Sequence, residues 1–216
     1  MIYYYIEKEN KKSGDSMTGK SHIVVNTCSL IALESSLLLT QYAYHGVGSE
    51  LLKNGATVVS RFVFPKPIFS VYTLLCLLLF YFGTLLPDID SKNSLLGRFI
   101  HLPIKHRTWT HSIYLPILIF VGSAWYPILF WLGFGYILHL FWDALSYCGV
   151  CFFYPFSKYR EYNSGAKVKL NHKFKIYRTC KTSEYVFVAV LLTLTGVLLV
   201  WGTATGLYLP LLKLLP

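Results

Sequence analysis

The chain has 216 residues, of which 54% are hydrophobic and only 14% are charged. Soluble globular domains carry about 25% charged residues, so the composition excludes an ordinary soluble enzyme and indicates a membrane protein with several spans. The formal net charge of +10 fits nucleic acid or an anionic membrane surface; the apolar segments favour the membrane, and we expect no nucleic-acid partner.

The polar residues 1–16 follow a short tyrosine patch and precede a second methionine, Met17. We interpret them as a flexible N-terminal extension and residues 17–216 as one integral membrane domain. The five cysteines are an odd number, which does not suggest a disulfide framework. The C-x-x-C pair of Cys148 and Cys151 lacks the second pair, or the histidines, that a structural zinc site needs.

Hydropathy predicts about five apolar helical spans, and hence an all-α, polytopic membrane bundle, at about 20 residues a span. In chain order the spans are Ile23–Tyr44, Ile68–Leu86, Ser112–Trp125, Pro127–Tyr147 and Tyr185–Tyr208. The short, proline-marked turn between the third and fourth spans is typical of a helical hairpin. Most of the 20 lysine and arginine residues precede the first, third and fifth spans, so the positive-inside rule predicts a cytoplasmic N-terminus.

Four of the seven histidines and three aspartates fall at the cytoplasmic ends of these spans. The set is His22, Asp88, Asp90, His106, His111, His139 and Asp143. Because hydropathy alone defined the spans, this convergence independently supports a shared site. Imidazole and carboxylate groups bind zinc and manganese, and oxygen-rich sets bind magnesium. We therefore predict a divalent metal site on the cytoplasmic side, with zinc first and manganese or magnesium next.

Local spacing allows a functional and a structural interpretation of several of these residues. His139 and Asp143 are four residues apart and project from one helical face, either as ligands or as a buried pair that fixes helix packing. Asp88 and Asp90 can point the same way from an extended turn, or one of them can cap a following helix. Arg107 can bind a phosphate bidentately or serve only as a positive-inside anchor.

The basic segment Ala166–Thr179 alternates between apolar and polar residues, which predicts a strand or hairpin on the membrane face. Its lysines would meet anionic head groups, and His172 would face the site. The alternative is a plain basic interfacial loop.

Four stretches of the chain resemble, in the same order, the YdjM-like family of bacterial inner-membrane proteins. They are MTGKSH (17–22), GTLLPDID (83–90), HRTWTHS (106–112) and HLFWDALSYCGVCFFYPFS (139–157). The resemblance implies a helical membrane fold, a divalent metal and metal-dependent hydrolysis. By motif position it also implies that the seven histidines and aspartates named above form the site.

The expected function is a metal-dependent hydrolase of the bacterial cytoplasmic membrane that acts on a lipid or lipid-linked (phospho)ester. The expected metal ligands are His22, Asp88, Asp90, His111, His139 and Asp143, and the expected catalytic residues are Arg107, His106 and Asp90. One alternative is a non-catalytic, metal-stabilised scaffold or sensor with a closed coordination shell. Another is ion transport, which needs ionisable residues deep in several spans; Glu34 is the only one at mid-span depth.

Overall fold

The structure, a computed structural model, describes residues 19–43, 71–92, 94–100, 102, 104, 106–146, 149–156, 176–177 and 182–205. This part of the chain contains five α-helices and no strand. The helices are α1 (Gly19–Ala43), α2 (Val71–Leu85), α3 (Tyr114–Gly122), α4 (Leu129–Leu145) and α5 (Thr182–Ala204). Short 3-10 helices at Leu86–Asp90 and Trp109–His111 follow α2 and precede α3.

Each of the five predicted spans overlaps one of these helices, so the all-α class is confirmed. Two segments, Val71–Asp90 and Thr182–Ala204, are long and apolar enough to cross a membrane, and α4 is a shorter apolar helix. Only 6% of the apolar window of α5 is buried. A long helix with exposed leucine and valine side chains suits contact with lipid. The number of crossings and the side of the N-terminus stay predictions.

The chain divides into two compact units. The first consists of Met1–Asn26 and Leu79–Ala189, and the second of Thr27–Leu78 and Val190–Pro216. Every residue of the predicted site belongs to the first unit. In the second unit, α1 carries Glu34, which is buried.

In the first unit, α2 and α4 cross with their backbones in contact. A Cβ atom at Gly83 would collide with the carbonyl oxygen of Leu132, and one at Gly135 would collide with the carbonyl oxygen of Phe80. Glycine is required at both positions because any side chain would force the helices apart. Small residues at helix crossings are the usual means of close packing in membranes.

A buried amide joins α1 to this crossing. The side-chain nitrogen of Asn26 donates to Thr84 Oγ1 at 2.9 Å and to the carbonyl oxygen of Gly135 at 3.3 Å. His22 lies four residues before Asn26, and His139 lies four residues after Gly135, so each is one helical turn from this bonded layer. The layer therefore fixes the register in which the site residues meet.

The remaining segments pack around α4. The α3–α4 pair forms the predicted hairpin, in which the rings of Phe120 and Phe130 lie 5.6 Å apart. In the predicted strand Ala166–Thr179, Tyr177 forms an isolated parallel bridge with Ser146, and its hydroxyl donates to the carbonyl oxygen of Trp142 at 2.6 Å. Several parts of the sequence interpretation lie outside the described residues, namely residues 1–16, Cys148, residues 166–175 with His172, and residues 178–179.

Candidate metal centre

Histidine and aspartate side chains from four segments converge in the first unit. They are His22 of α1, Asp88 and Asp90 of the first 3-10 helix, His106 and His111 before α3, and His139 and Asp143 of α4. Six of the seven are 0–4% exposed, whereas the side chain of His106 is 23% exposed. The structure thus brings all of the predicted histidines and aspartates into one buried cluster.

Asp143 lies at the centre of the cluster. Its Oδ1 atom is 3.4 Å from His22 Nε2, and its Oδ2 atom is 3.3 Å from His111 Nε2 and 3.8 Å from His139 Nε2. Asp88 approaches two of the same rings, since its Oδ1 atom is 3.8 Å from His111 Nε2 and 3.7 Å from His139 Nε2. These separations are longer than the 2.7–3.2 Å of an ordinary hydrogen bond.

The atoms that face one another lack hydrogen-bond partners in the described part of the chain. They are Asp88 Oδ1, both carboxylate oxygens of Asp143, and the Nε2 atoms of His22, His111 and His139. Buried polar atoms without partners are rare in folded proteins. Two ligands that lie about 2.1 Å from one metal at a tetrahedral angle are roughly 3.4 Å apart. The donor set and its spacing therefore fit a metal ion.

The donors form three overlapping groups, within each of which the ligand atoms lie within 4.8 Å of one another. The groups are His22, Asp88 and His139; Asp88, His106 and His111; and His111, His139 and Asp143. Asp90 belongs to none of them, and its assignment as a metal ligand stays a prediction.

The ring of His139 is held in the form that a metal requires. Its Nδ1 atom lies 2.7 Å from the carbonyl oxygen of Thr84, and because a carbonyl can only accept, Nδ1 carries the proton. The unprotonated Nε2 atom then points into the cluster. His22 stacks on this ring, with the centroids 3.7 Å apart and the planes inclined by 17°.

Asp90 lies beside the metal donors and is engaged by hydrogen bonds. Its Oδ1 atom is 2.6 Å from His106 Nδ1, and its Oδ2 atom accepts from Thr110 Oγ1 at 2.5 Å. Thr110 Oγ1 is in turn 3.1 Å from His111 Nδ1. Thr110 is itself held by the hydroxyl of Tyr136, which donates to its carbonyl oxygen.

Arg107, just before the second 3-10 helix, contacts the cluster through Asp143. It is 2% exposed, and its guanidinium lies 3.2 Å from Asp143 Oδ2 and donates to the carbonyl oxygen of Gly149 at 2.7 Å. Its backbone has φ 64°, a left-handed conformation that is uncommon for a residue other than glycine and often found at functional sites. Its role as an anchor for a substrate phosphate stays a prediction.

The charges of the cluster also favour a cation. Burial lowers the pKa of His111 to about 4, so its imidazole is neutral near pH 7, the form that binds metals. The carboxylates of Asp88 and Asp143 lie 3.8 Å and 3.3 Å from the Nε2 atom of this ring, and the guanidinium of Arg107 lies 3.2 Å from Asp143. Buried carboxylates are costly unless they are balanced, and a divalent cation would balance them.

The sequence reasoning missed the groups that orient the donors. These groups contact site residues or fix their helices through an amide, a hydroxyl or a backbone carbonyl, none of which stands out in the sequence as a metal ligand. They belong to Asn26, Thr84, Thr110 and Gly149. Two of them were within reach of the sequence, because the GTLLPDID and HRTWTHS stretches contain Thr84 and Thr110. Contacts made by a backbone carbonyl cannot be predicted from residue type, because every residue has one.

The comparisons with known proteins agree with the sequence resemblance. Residues 17–212 match the family described as YdjM inner membrane protein. Neither the curated proteins nor the solved structures contain a match. Since the matched residues make up most of the chain, this protein belongs to the YdjM inner membrane protein family.

Proposed function

We propose that this inner-membrane protein is a metal-dependent hydrolase that cleaves a lipid or lipid-linked (phospho)ester at the cytoplasmic face of the membrane. The observation that carries the proposal is the convergence of buried imidazole nitrogens and carboxylate oxygens that have no hydrogen-bond partner among the described residues. His111, His139, Asp88 and Asp143 would hold the cation, with His22 beside Asp143. Two imidazoles and two carboxylates suit zinc, followed by manganese or magnesium.

The neighbouring residues supply the other parts of a hydrolytic site. A bound divalent cation supplies Lewis-acid activation of an ester or of water. His106 suits the role of general base, because Asp90 holds its Nδ1 atom at 2.6 Å and leaves Nε2 to accept a proton. Arg107 places a positive charge 3.2 Å from Asp143, where the charge of a phosphoester would be stabilised.

Exposed aromatic side chains beside these segments support a lipid substrate. Trp109 is 50% exposed and packs edge-on against Tyr154, with the ring centroids 5.3 Å apart. Phe99 and Phe156 are 88% and 83% exposed. Large aromatic side chains are enriched at the membrane interface, so this exposure fits a site at the level of the lipid head groups.

The test is hydrolysis by the purified protein in nanodiscs, with phospholipids and lipid-linked phosphates as substrates and zinc, manganese or magnesium added in turn. We expect the wild type to release product and His139→Ala to be inactive. Trp125→Ala is the matched control, since Trp125 is 72% exposed and lies in the α3–α4 turn before α4, whereas His139 lies near the other end of that helix. Equal rates for His139→Ala and the wild type, or no hydrolysis of any such lipid by the metal-loaded wild type, reject the proposal.

The depth of burial of the donors supports a second candidate function, a metal-stabilised scaffold or sensor. His22, His111, His139 and Asp143 are 0% exposed, which is typical of closed structural metal sites. The two candidates differ in the coordination shell, because an enzyme keeps one exchangeable water and a structural site does not. Water relaxation enhancement by the Mn²⁺-loaded protein distinguishes them, since only an open site exchanges water with the solvent.

A further inference from the structure

We propose that Asp90 and Thr110 are positioning residues that set the tautomers of His106 and His111, so that His111 offers an unprotonated Nε2 atom to the metal and His106 keeps an unprotonated Nε2 atom as the general base. The inference rests on the metal centre proposed above. It assigns Asp90 a role different from the ligand role that the sequence suggested, and it assigns a role to Thr110 for the first time.

One chain of hydrogen bonds determines where the protons lie. The carboxylate of Asp90 can only accept, so the hydroxyl proton of Thr110, 2.5 Å away, points to Asp90 Oδ2. Thr110 Oγ1 therefore has only lone pairs left for His111 Nδ1 at 3.1 Å, and that ring nitrogen must donate. His111 Nδ1 thus carries the proton, and Nε2 is the lone-pair atom that faces Asp143 Oδ2 at 3.3 Å.

The same carboxylate acts directly on the second ring. Asp90 Oδ1 lies 2.6 Å from His106 Nδ1, so this nitrogen also donates and Nε2 is left unprotonated. The Nε2 atom of His106 is buried and has no hydrogen-bond partner within the described residues. One anion therefore prepares two imidazoles, directly for His106 and through a hydroxyl for His111.

The opposite tautomer explains why this positioning matters. A proton on His111 Nε2 would point at the carboxylates of Asp143 and Asp88, 3.3 Å and 3.8 Å away, and would block the nitrogen that binds the metal. His139 needs no such help, because the backbone carbonyl oxygen of Thr84 already fixes its Nδ1 proton. His139 is thus an internal reference that substitutions at Asp90 and Thr110 leave unchanged.

The principal test is Asp90→Asn, which keeps the shape of the side chain but replaces one of its two hydrogen-bond acceptors by a donor. In one orientation the amide nitrogen donates to His106 Nδ1, and the ring proton of His106 moves to Nε2. In the other, the amide oxygen accepts from His106 and the amide nitrogen donates to Thr110 Oγ1. The hydroxyl proton of Thr110 then turns to His111 Nδ1, and the ring proton moves to Nε2. Histidine ¹⁵N NMR of the metal-free protein reports the tautomer. We expect the ring proton of either His106 or His111 to move from Nδ1 to Nε2 in Asp90→Asn, while the proton of His139 stays on Nδ1.

Zinc affinity provides the second measurement. Loss of a residue that orients a ligand typically weakens metal binding by about 10- to 100-fold, and we expect this for Asp90→Asn and Thr110→Val. Thr110→Ser keeps the hydroxyl and restores the affinity. Ser112→Ala is the matched control, because its buried hydroxyl adjoins His111 in sequence but donates only to the backbone carbonyl oxygens of Phe152 and Tyr154.

The outcomes separate this inference from the proposed function. A proton on His111 Nε2 in the metal-free wild type, or unchanged tautomers and zinc affinity in both Asp90→Asn and Thr110→Val, overturns the positioning role while the hydrolase stands. A wild type that binds no divalent cation overturns the proposed function, and the NMR measurement on the metal-free protein still decides the tautomers. Should Asp90→Asn fail to fold, Thr110→Val makes the same prediction for His111.

Discussion

Replacement of Asp143 by asparagine removes the charge at the centre of the cluster and keeps the shape of the side chain. The carboxylate lies within 3.8 Å of nitrogen atoms of three histidines and one arginine. Structural zinc sites contribute about 10–16 kcal/mol from four ligands. One ligand of four therefore accounts for roughly 3 kcal/mol, and we expect Asp143→Asn to weaken zinc binding by about 100-fold.

The same substitution leaves the guanidinium of Arg107 buried without its carboxylate partner. Breaking a buried ion pair costs about 3–5 kcal/mol. Asp143 also repels the neighbouring carboxylate of Asp88, so its loss relieves that repulsion, and we expect a cost near the lower figure. The two expected losses are of similar size, so zinc affinity has to be measured on protein that is shown to be folded.

The assay is zinc content and zinc titration of the purified protein in detergent, with SDS-induced unfolding measured on the same samples. Glu34→Gln is the control, since Glu34 is also a buried carboxylate but belongs to the second unit; we expect it to bind zinc as the wild type does. Stoichiometric zinc at wild-type affinity in folded Asp143→Asn would refute the assignment of this carboxylate as a ligand.

Three further predictions concern packing, pH and the metal. Gly135→Ala would press a Cβ atom against the carbonyl oxygen of Phe80, and we expect the free energy of unfolding in SDS to fall by about 1–3 kcal/mol. The control is Gly196→Ala, which has open space around it and should leave the free energy of unfolding unchanged or raise it by up to about 1 kcal/mol. Equal effects of the two substitutions would contradict the close contact. The pKa of His111 lies at about 4 in the fold against 6.5 in the unfolded chain, so its contribution to the stability of the metal-free protein is complete above pH 6.5 and is lost as the pH falls towards 4. His111→Gln should flatten that part of the pH profile, and an unchanged slope would contradict the assignment. Removal of zinc with a chelator should lower Tm, because a ligand present at 100 times its Kd stabilises the fold by about 2.7 kcal/mol; an unchanged Tm for protein shown to have lost its zinc would count against the site.

Much of the helical layout could be predicted from the sequence, because apolar runs and prolines record where helices begin and end. The hairpin around Pro127 and the placement of His139 and Asp143 on one face followed from local rules of this kind. The meeting of the histidines and aspartates was also predictable, since the spans set which ends lie together. These features depend on residue type and spacing, both of which the sequence displays.

The orientation of the donors could not be predicted in the same way. The collision that makes Gly83 and Gly135 necessary depends on how two helices cross, and the bond from His139 to Thr84 ends on a backbone carbonyl that every residue possesses. The left-handed backbone of Arg107 likewise has no signature in residue type. Such features come from tertiary contacts, which a single sequence does not specify.

The two contacts of Arg107 connect the occupancy of the cluster to a segment outside it. The same guanidinium holds Asp143 on one side and the backbone at Gly149 on the other, and exposed Phe153 and Phe156 follow shortly after Gly149. A change in the charge of Asp143 would therefore alter how firmly the arginine holds the backbone at Gly149. Loading or removing a cation at the proposed site would thus be transmitted, through this one side chain, to the backbone that carries these aromatic side chains.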